Sequence, residues 1–516
     1  MRKHVFLLLF ALCSHFAFSQ INSNNPTVPF GSRTSYSYGI MPTNLPTGGT
    51  YGKSQAAADA YNAWKINMTE TCANGIRVKY DTQSETVSEG IAYGMLLAAY
   101  AADKATFDGL WKFYKANMNG NGVMNWKING CSGVLGANGA TDAELDATLA
   151  LIIASEQWPT ATNPYTYKNE ATTLISKIRQ FEIHPTSYQT INGDGWGFSD
   201  NSRNPSYQAP AYYREYAKVE TTYASTWNSA ITAANSLLTA NRNATTGLVG
   251  NWCNTSGVSQ AGNTPNEFGF DAIRNPWRMA TDYLWNGPST AATADDICGK
   301  IAYWARNDAG NLKGPCAQNA ASPAAGLYKN GTFSMLACAF MGTSGSTYQT
   351  QLNTAYTNTV ALGNNETYFN QTIRCVTLFM MTGNFWKPGT VVAANPLLTG
   401  ATTNIDGSKI TLTFNKTMAT PAAGTYSAFT LRVNGSTVAN AFSAIALNGT
   451  SAIDLTLSSA ISLGDVITIS YTPGTIQSAD ANVLQAFTNQ SVTNAIPGGN
   501  TLIAECDNGN ETKLLT

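Results

Sequence analysis

The spacing of apolar residues along the chain changes once, close to Trp386. From about Tyr51 to that point, apolar side chains recur three or four positions apart, in segments separated by clusters of Gly, Asn and Pro. This spacing buries one face of an α-helix and predicts roughly a dozen helices. Antiparallel helix pairs joined by long polar loops favour an α/α toroid, and an irregular helical bundle is the alternative. The clearest predicted helices span 56–66, 91–102, 105–117, 142–158, 221–238, 271–285, 295–307 and 349–362.

Beyond Trp386 the apolar residues alternate with period two, after the helix-ending run Lys387-Pro388-Gly389. Short Thr-, Val- and Ile-rich segments between Gly and Asn turns predict β-strands, and they favour a small all-β sandwich over residues 391–497. That module contains no cluster of acids, so we expect an accessory domain without catalysis. Residues 498–516 are expected to be a tail or the start of a further domain. The predicted strands are 409–414, 429–433, 453–457 and 466–471.

Residues 1–20 have the layout of a secretory signal peptide. Two basic residues precede an apolar run from Val5 to Cys13, and small residues follow. The run is too short for a permanent membrane helix, and no later segment is apolar for long enough to span a bilayer. We expect cleavage near Ser19 or Gln20 and a secreted protein, extracellular or at the cell surface.

Composition narrows the class of partner. Lys and Arg number 30 against 31 Asp and Glu, so no strong field attracts nucleic acid or an anionic membrane. Aromatic residues make up 11% of the chain and charged residues only 12%, which suits an uncharged polysaccharide or oligosaccharide partner. With three histidines and no C-x-x-C pair, the sequence does not favour a zinc cluster, and no metal or cofactor is expected. Among possible disulfides, Cys298 with Cys316 is the closest candidate pair.

Three carboxylates stand where a predicted helix begins. Glu89 precedes a strongly apolar helix, and partial desolvation would favour its protonated form. Asp142 lies in the first turn of another helix, where Thr141 and Glu144 match a capping box. For Glu89 and Asp142, stabilisation of the helix dipole is the ordinary alternative explanation.

Asp271 opens a third helix, and Arg274 and Arg278 follow on the same face at i+3 and i+7. Such arginines would hold the carboxylate ionised, although a structural salt-bridge network has the same spacing. Asp146, one turn beyond Asp142, is expected to be partly buried and paired. One protonated and one ionised carboxyl group, roughly 6.5 to 9.5 Å apart, are what an inverting glycosidase requires.

The segments around these acids read S-E-G-I-A-Y-G-M, A-T-D-A-E-L-D and F-D-A-I-R-N-P-W-R. In this order they resemble the motifs of glycoside hydrolase family 8, and the resemblance covers roughly residues 50–390. Glu144 is a departure, because the family more often has Asp there. Three further segments of the chain that resemble the family are Met124-Asn125-Trp126, Asp194-Gly195-Trp196-Gly197 and Asn204-Pro205-Ser206-Tyr207 through Tyr213.

The resemblance implies an all-α catalytic domain over residues 21–390 with the fold of an (α/α)6 barrel. It implies Glu89 as the proton donor, Asp271 as the general base for the attacking water, and Asp142 as the acid that contacts and distorts the sugar. Aromatic rings stack on sugar faces, and packing in the core is the competing explanation for each ring. The candidate substrate-binding residues are Tyr93, Trp126, Trp196, Tyr207, Tyr212, Arg274 and Trp277.

The function implied is an inverting, endo-acting hydrolase of β-1,4-glucan, either cellulose or mixed-linkage β-glucan. An endo-β-1,4-xylanase, a licheninase and a chitosanase are alternatives within the same family. A carbohydrate-binding surface protein without catalysis is the alternative of another class, and the intact trio of Glu89, Asp142 and Asp271 argues against it. The β-module resembles bacterial Ig-like repeats, so carbohydrate binding, tethering to the cell surface and a spacer role stay open.

Overall fold

In the computed structural model the chain forms two compact units, which divide between residues 390 and 391. The structure describes residues 21–498 apart from 25, 34, 160, 163, 261–265, 390–395, 480–482 and 485. The predicted signal peptide (1–20) and nearly all of the predicted tail (499–516) lie outside the described residues. Each helix within the described ranges is too short or too polar to cross a membrane.

The first unit is built from α-helices, and twelve lie in its described part. All eight of the clearest predicted helices are present. The helices are α1 (Gln55–Met68), α2 (Ser88–Tyr100), α3 (Lys104–Ala116), α4 (Thr141–Gln157), α5 (Tyr167–Phe181), α6 (Pro210–Val219), α7 (Ala224–Asn241), α8 (Arg274–Asn286), α9 (Ala292–Ala305), α10 (Cys338–Met341), α11 (Gln349–Ala361) and α12 (Tyr368–Met381).

The helices alternate between the inside and the outside of a barrel. Helices α2, α4, α8, α10 and α12 are buried nearly all round, whereas α3, α5 and α11 bury one side only. Helix α2 packs on α4 and α12 packs back on α2, which closes the inner ring, and each outer helix packs on an inner neighbour. A helix that is apolar all round belongs in the interior, as the sequences of α2 and α4 require. The arrangement fits the predicted (α/α)6 barrel.

One helix begins later than its periodicity predicts. Helix α8 begins at Arg274 rather than at Asp271, and Pro276 is its third residue. Proline is tolerated in the first turn of a helix but not deeper, so Pro276 fixes the start of α8 near Arg274. Asp271 therefore lies in the turn before the helix.

Short strands connect the loops at the ends of the helices. A disulfide between Cys72 and Cys131 joins the β1–β2 hairpin to the turn between β4 and β5. The predicted pairing of Cys298 with Cys316 is wrong, because both thiols are free and buried in different elements, α9 and β9. These strands are β1 (Thr69–Cys72), β2 (Gly75–Val78), β3 (Glu85–Val87), β4 (Lys127–Asn129), β5 (Val134–Gly136), β6 (Ser202–Arg203), β7 (Cys253–Asn254), β8 (Glu267–Phe268) and β9 (Cys316–Ala317).

The second unit contains two four-stranded antiparallel sheets, ordered β10-β11-β15-β14 and β13-β12-β16-β17. All four predicted strands are present. Their alternate residues, such as Ile410 and Leu412 in one sheet and Ile467 and Ile469 in the other, share one hydrophobic core. The strands are β10 (Leu398–Thr403), β11 (Lys409–Phe414), β12 (Phe429–Val433), β13 (Ser436–Thr437), β14 (Phe442–Asn448), β15 (Ala452–Leu457), β16 (Ile467–Tyr471) and β17 (Phe487–Val492).

Candidate active site

The N-terminal ends of four inner helices converge at one end of the barrel. Glu89 and Asp142 lie in the first turns of α2 and α4, Arg274 is the first residue of α8, and Tyr368 is the first residue of α12. Hydrogen bonds join these side chains to one another. The three predicted acids are thus brought together from segments far apart in sequence.

Arg274 contacts all three acids. Its guanidinium group is only 2% exposed, and Nη1 donates to Glu89 Oε2 at 2.7 Å and to Asp142 Oδ2. Nη2 donates to Asp271 Oδ1 at 3.2 Å, so the predicted pair of Arg274 and Asp271 is present. The arginine is a shared counter-ion for the trio.

Arg278 does not take part in this cluster. Its two terminal nitrogens donate to the carboxylate of Asp146 at 2.5 and 2.8 Å, and both side chains are buried. The prediction that Arg278 also supports Asp271 is wrong, because a residue one turn further along α8 lies deeper in the barrel. The prediction that Asp146 is buried and paired is confirmed.

Glu89 lies in a largely apolar setting with two donors on its carboxyl group. Its side chain is 22% exposed, Oε2 accepts from Arg274, and Oε1 accepts from the Tyr368 hydroxyl at 2.9 Å. Burial raises the pKa of Glu89 to about 7, against the lowering effect of Arg274 and with a further rise from the nearby Asp142. A carboxyl group with this pKa carries its proton over much of the range in which enzymes work.

Asp271 faces the solvent more than the other two acids do, with 36% of its side chain exposed. Oδ1 accepts from Asn204 Nδ2 at 3.1 Å as well as from Arg274, and Oδ2 accepts from Trp252 Nε1 at 3.2 Å. Three donors from three separate segments therefore hold one carboxylate at the edge of the cleft.

Asp142 is almost fully buried, and burial raises its pKa in spite of the Arg274 charge. The predicted capping box behind it is wrong. Glu144 is buried and accepts a hydrogen bond from the Tyr114 hydroxyl at 2.9 Å instead of reaching back along the helix. Glu182 is buried close by, and burial raises the pKa of both glutamates well above the usual range. Burial inside the barrel thus disfavours the charged form of both carboxyl groups.

An open cleft of about 670 Å³ runs over Glu89 and Asp271. Its walls combine aromatic rings with neutral polar groups, a lining that suits sugar rings and their hydroxyl groups. The residues that line it are Tyr80, Asp81, Glu89, Phe270, Asp271, Arg274, Tyr328, Asn330, Thr367, Phe369 and Asn370.

Three of the six rings predicted to stack on sugars are buried in the barrel. Tyr93, Tyr212 and Trp277 are at most 1% exposed, and Trp277 lies 6.0 Å from Tyr93 and 6.5 Å from Tyr212 between ring centres. A ring enclosed by protein cannot lie against a sugar, so these three predictions are wrong. Tyr93 stands one helical turn beyond Glu89, which places it below the cleft.

The other three rings are accessible in differing degrees. Trp126 is 43% exposed and Trp196 is 47% exposed. Tyr207 is half-buried, and its ring lies 5.3 Å from the Arg274 guanidinium carbon. Trp196 stacks on Trp252, with ring centres 5.9 Å apart.

The sequence-based prediction missed Tyr368 and Trp252, and it gave Asn204 no role. Tyr368 is the first residue of inner helix α12, and Glu89 and Asp142 are the second residues of α2 and α4. A search for polar side chains at the start of each predicted helix would therefore have found Tyr368. Trp252 carries no such signal, since it lies in a polar loop whose partner segment is distant in sequence.

Comparisons of this chain with known proteins identify a family and several relatives of similar sequence. The sequence pattern described as glycosyl hydrolases family 8 matches residues 45–383. Endoglucanase 2 of Ruminiclostridium josui is 33% identical over 383 residues, which cover 71% of this chain and 78% of that protein. Endoglucanase A of Acetivibrio thermocellus is 34% identical over 382 residues, with 72% and 76% covered.

A solved structure is similar in fold. The apo β-1,3-1,4-glucanase from Paenibacillus sp. X4 superposes with a TM-score of 0.62 at 24% identity, covering 69% of this chain and 98% of that one. Over the second unit, residues 391–476 match a repeat described as flagellar system-associated, the SWM repeat, rather than an Ig-like repeat. The match over 45–383 and the relatives at 33% and 34% identity establish that the chain belongs to glycoside hydrolase family 8.

Proposed function

We propose that this family 8 hydrolase is an inverting endo-β-1,4-glucanase in which Glu89 is the general acid and Asp271 the general base. One observation carries the proposal. A single guanidinium group, that of Arg274, joins a carboxyl group whose pKa is raised to about 7 to a solvent-facing carboxylate, at the floor of an open cleft.

The upper limit on the separation of the two carboxyl groups falls within the range of inverting enzymes, and the anomer of the first product distinguishes inversion from retention. Since Glu89 and Asp271 contact the two terminal nitrogens of one planar guanidinium, their nearest oxygens lie within roughly 8 Å of each other. Inverting enzymes hold the two groups roughly 6.5 to 9.5 Å apart, which leaves room for a water molecule between base and sugar.

In the proposed reaction, Glu89 gives its proton to the oxygen of the leaving sugar as the glycosidic bond breaks. Asp271 takes a proton from the water that attacks the opposite face of the ring. Asp142 is almost fully buried and holds Arg274, so its proposed role is to orient this arginine below the sugar at the cleavage point. The water is consumed, and each product gains one hydroxyl group.

The substrate is proposed from the cleft and from the relatives. An open groove lined by rings and neutral polar groups fits an uncharged glucan chain that enters from the side, as endo-acting cleavage requires. The relatives named above are endoglucanases and a β-1,3-1,4-glucanase. Cellulose and mixed-linkage β-glucan are therefore the proposed substrates. A reducing-sugar assay compares cellulose and lichenan, a mixed-linkage β-glucan, with xylan and chitosan.

The roles are tested by Glu89→Gln and Asp271→Asn, each of which keeps the side-chain shape and removes the proton-transfer function. We expect either change to abolish nearly all hydrolysis while the thermal melt stays that of a folded protein. Asp295→Asn is the matched control, because Asp295 is an exposed acid in the first turn of outer helix α9. Full activity in either active-site variant refutes the assignment. Proton NMR of the first product must show the α-anomer, and early β-anomer refutes inversion.

We also propose that the chain is secreted after cleavage near Ser19 or Gln20, and that the second unit is an Ig-like accessory domain. The layout of residues 1–20 and the two antiparallel sheets around one core support these proposals. N-terminal sequencing of the protein from the culture medium tests the first. An experimental structure whose strand connections differ from those of an Ig-like sandwich overturns the second.

A further inference from the structure

We propose that Trp252 is a positioning residue that couples sugar binding on Trp196 to the orientation of Asp271. The indole ring of Trp252 supports the exposed ring of Trp196, and its N–H group holds one oxygen of Asp271. The inference rests on the proposed role of Asp271 as the general base, and it adds a residue that makes this base responsive to the bound chain.

The first step concerns how Asp271 is held. Strands β6 and β7 pair antiparallel, with Arg203 opposite Cys253. The next residues outward are Asn204 and Trp252, so the end of this small sheet places them side by side. Asn204 donates to Oδ1 of Asp271 at 3.1 Å and Trp252 donates to Oδ2 at 3.2 Å. The two oxygens are thus held by two neighbouring donors at the end of one small sheet.

The two donors differ in how firmly they are themselves fixed. Asn204 is fully buried, and its Oδ1 accepts from the backbone and side chain of Ser206 at 2.9 and 2.7 Å. Trp252 is half-buried, and one face of its ring is covered by Trp196 rather than by the core. The position of Oδ1 is therefore set by the fold, whereas the position of Oδ2 depends on the Trp196–Trp252 stack.

The second step concerns Trp196. Its ring is 47% exposed and lies nearly parallel to that of Trp252, with 24° between the ring planes. Trp196 does not line the cleft of about 670 Å³ itself, and it is connected to the cleft residue Asp271 through Trp252. Its exposed indole presents an apolar face on which a pyranose ring can stack. A sugar placed there restricts Trp196, which in turn restricts Trp252 and the hydrogen bond to Asp271.

If Trp252 positions Asp271, loss of its N–H donor should lower kcat much more than it changes KM. In Trp252→Phe the aromatic ring remains under Trp196, but the N–H donor to Asp271 is lost. A lost hydrogen bond to a charged group corresponds to a rate change of roughly tenfold or more. We expect kcat to fall by about this factor while KM changes less than about twofold, because stacking is kept.

Two further variants separate the hydrogen bond to Asp271 from the stacking of the two tryptophans. In Trp252→Ala the ring is lost as well, and KM for long oligosaccharides rises in addition to the fall in kcat. In Trp196→Ala the stack that holds Trp252 is lost, so KM rises and kcat falls as well.

The experiment uses the full chain, with cellohexaose and barley mixed-linkage glucan as probes, and follows kcat and KM over pH. Trp304→Phe is the matched control, because Trp304 lies on outer helix α9 and donates its indole N–H to the Ala320 carbonyl at 2.7 Å. A normal thermal melt establishes folding of each variant. An unchanged kcat in Trp252→Phe overturns the inference. An unchanged kcat in Trp196→Ala, or an equal loss in Trp304→Phe, overturns it as well.

Failure of the proposed function gives a different result. If Asp271→Asn retains activity, Asp271 is not the base and the proposed function fails. If Asp271→Asn is inactive while Trp252→Phe behaves as the unmodified protein does, the base is correct and only the coupling through Trp252 is wrong.

Discussion

The hydrogen bond from Tyr368 to Glu89 leads to a prediction about the pH range of the enzyme. Tyr368→Phe removes the hydroxyl that donates to Glu89 Oε1 at 2.9 Å and leaves the buried ring in place. This donor lowers the pKa of Glu89, so its loss raises the pKa above the value of about 7 that burial and the neighbouring charges set. A hydrogen bond to a charged group is worth about 1.5 to 3 kcal/mol, and 1.36 kcal/mol corresponds to about one pH unit. The expected rise is about one unit or more.

The sign of the effect follows from the proposed role. A general acid must be protonated before the reaction, so the pKa of Glu89 sets the alkaline limb of kcat/KM, and that limb moves to higher pH. The assay is kcat/KM on soluble mixed-linkage glucan from about pH 4 to pH 10. Tyr303→Phe is the control, because Tyr303 is exposed on outer helix α9. An alkaline limb that stays in place or moves to lower pH in Tyr368→Phe refutes the reasoning.

Three further changes test other contacts. A Cβ atom at Gly90 would lie 3.0 Å from the Tyr368 ring, so Gly90→Ala should displace that ring and lower kcat without unfolding, as measured by kinetics beside a thermal melt. Burial disfavours the charged form of Glu182, which lowers the stability of the folded protein increasingly as pH rises above roughly 4.3. Glu182→Gln should therefore raise Tm more at pH 8 than at pH 5. Replacing Cys72 and Cys131 by Ser opens a link between residues 59 positions apart and should lower the free energy of unfolding by up to about 4 kcal/mol in urea titrations.

The fold was largely predictable because both of its periodicities are strong. Helices such as α3 and α5 carry one apolar face, and strands such as β11 alternate strictly, so the existence and order of elements follow from local sequence. The division into inner and outer helices is harder to predict. In α2 and α4 the apolar residues surround the helix, which indicates burial but not which neighbours provide it.

Depth within the barrel explains the errors at the site. In the inner helices α2 and α8 the first turn reaches the cleft, as Glu89 and Arg274 do, whereas Tyr93 and Trp277 lie one turn too deep to touch a sugar. A family motif includes residues at the cleft and residues in the core, so a match to the motif does not show which of them can touch the sugar. The contact of Tyr368 with Glu89 joins residues 279 positions apart, and no local pattern predicts such a pairing.

One guanidinium group shared by three carboxyl groups explains why a proton belongs on Glu89. Arg274 is the cation that contacts Glu89, Asp142 and Asp271, while Arg278 is held by Asp146. If all three carboxyl groups were ionised, the charge of Arg274 would compensate only one of them, at a high desolvation cost. In the proposed reaction Glu89 loses a proton and Asp271 gains one. The net charge of the cluster is therefore the same before and after cleavage, and Arg274 can stabilise whichever end is ionised without any change in the buried charge around it.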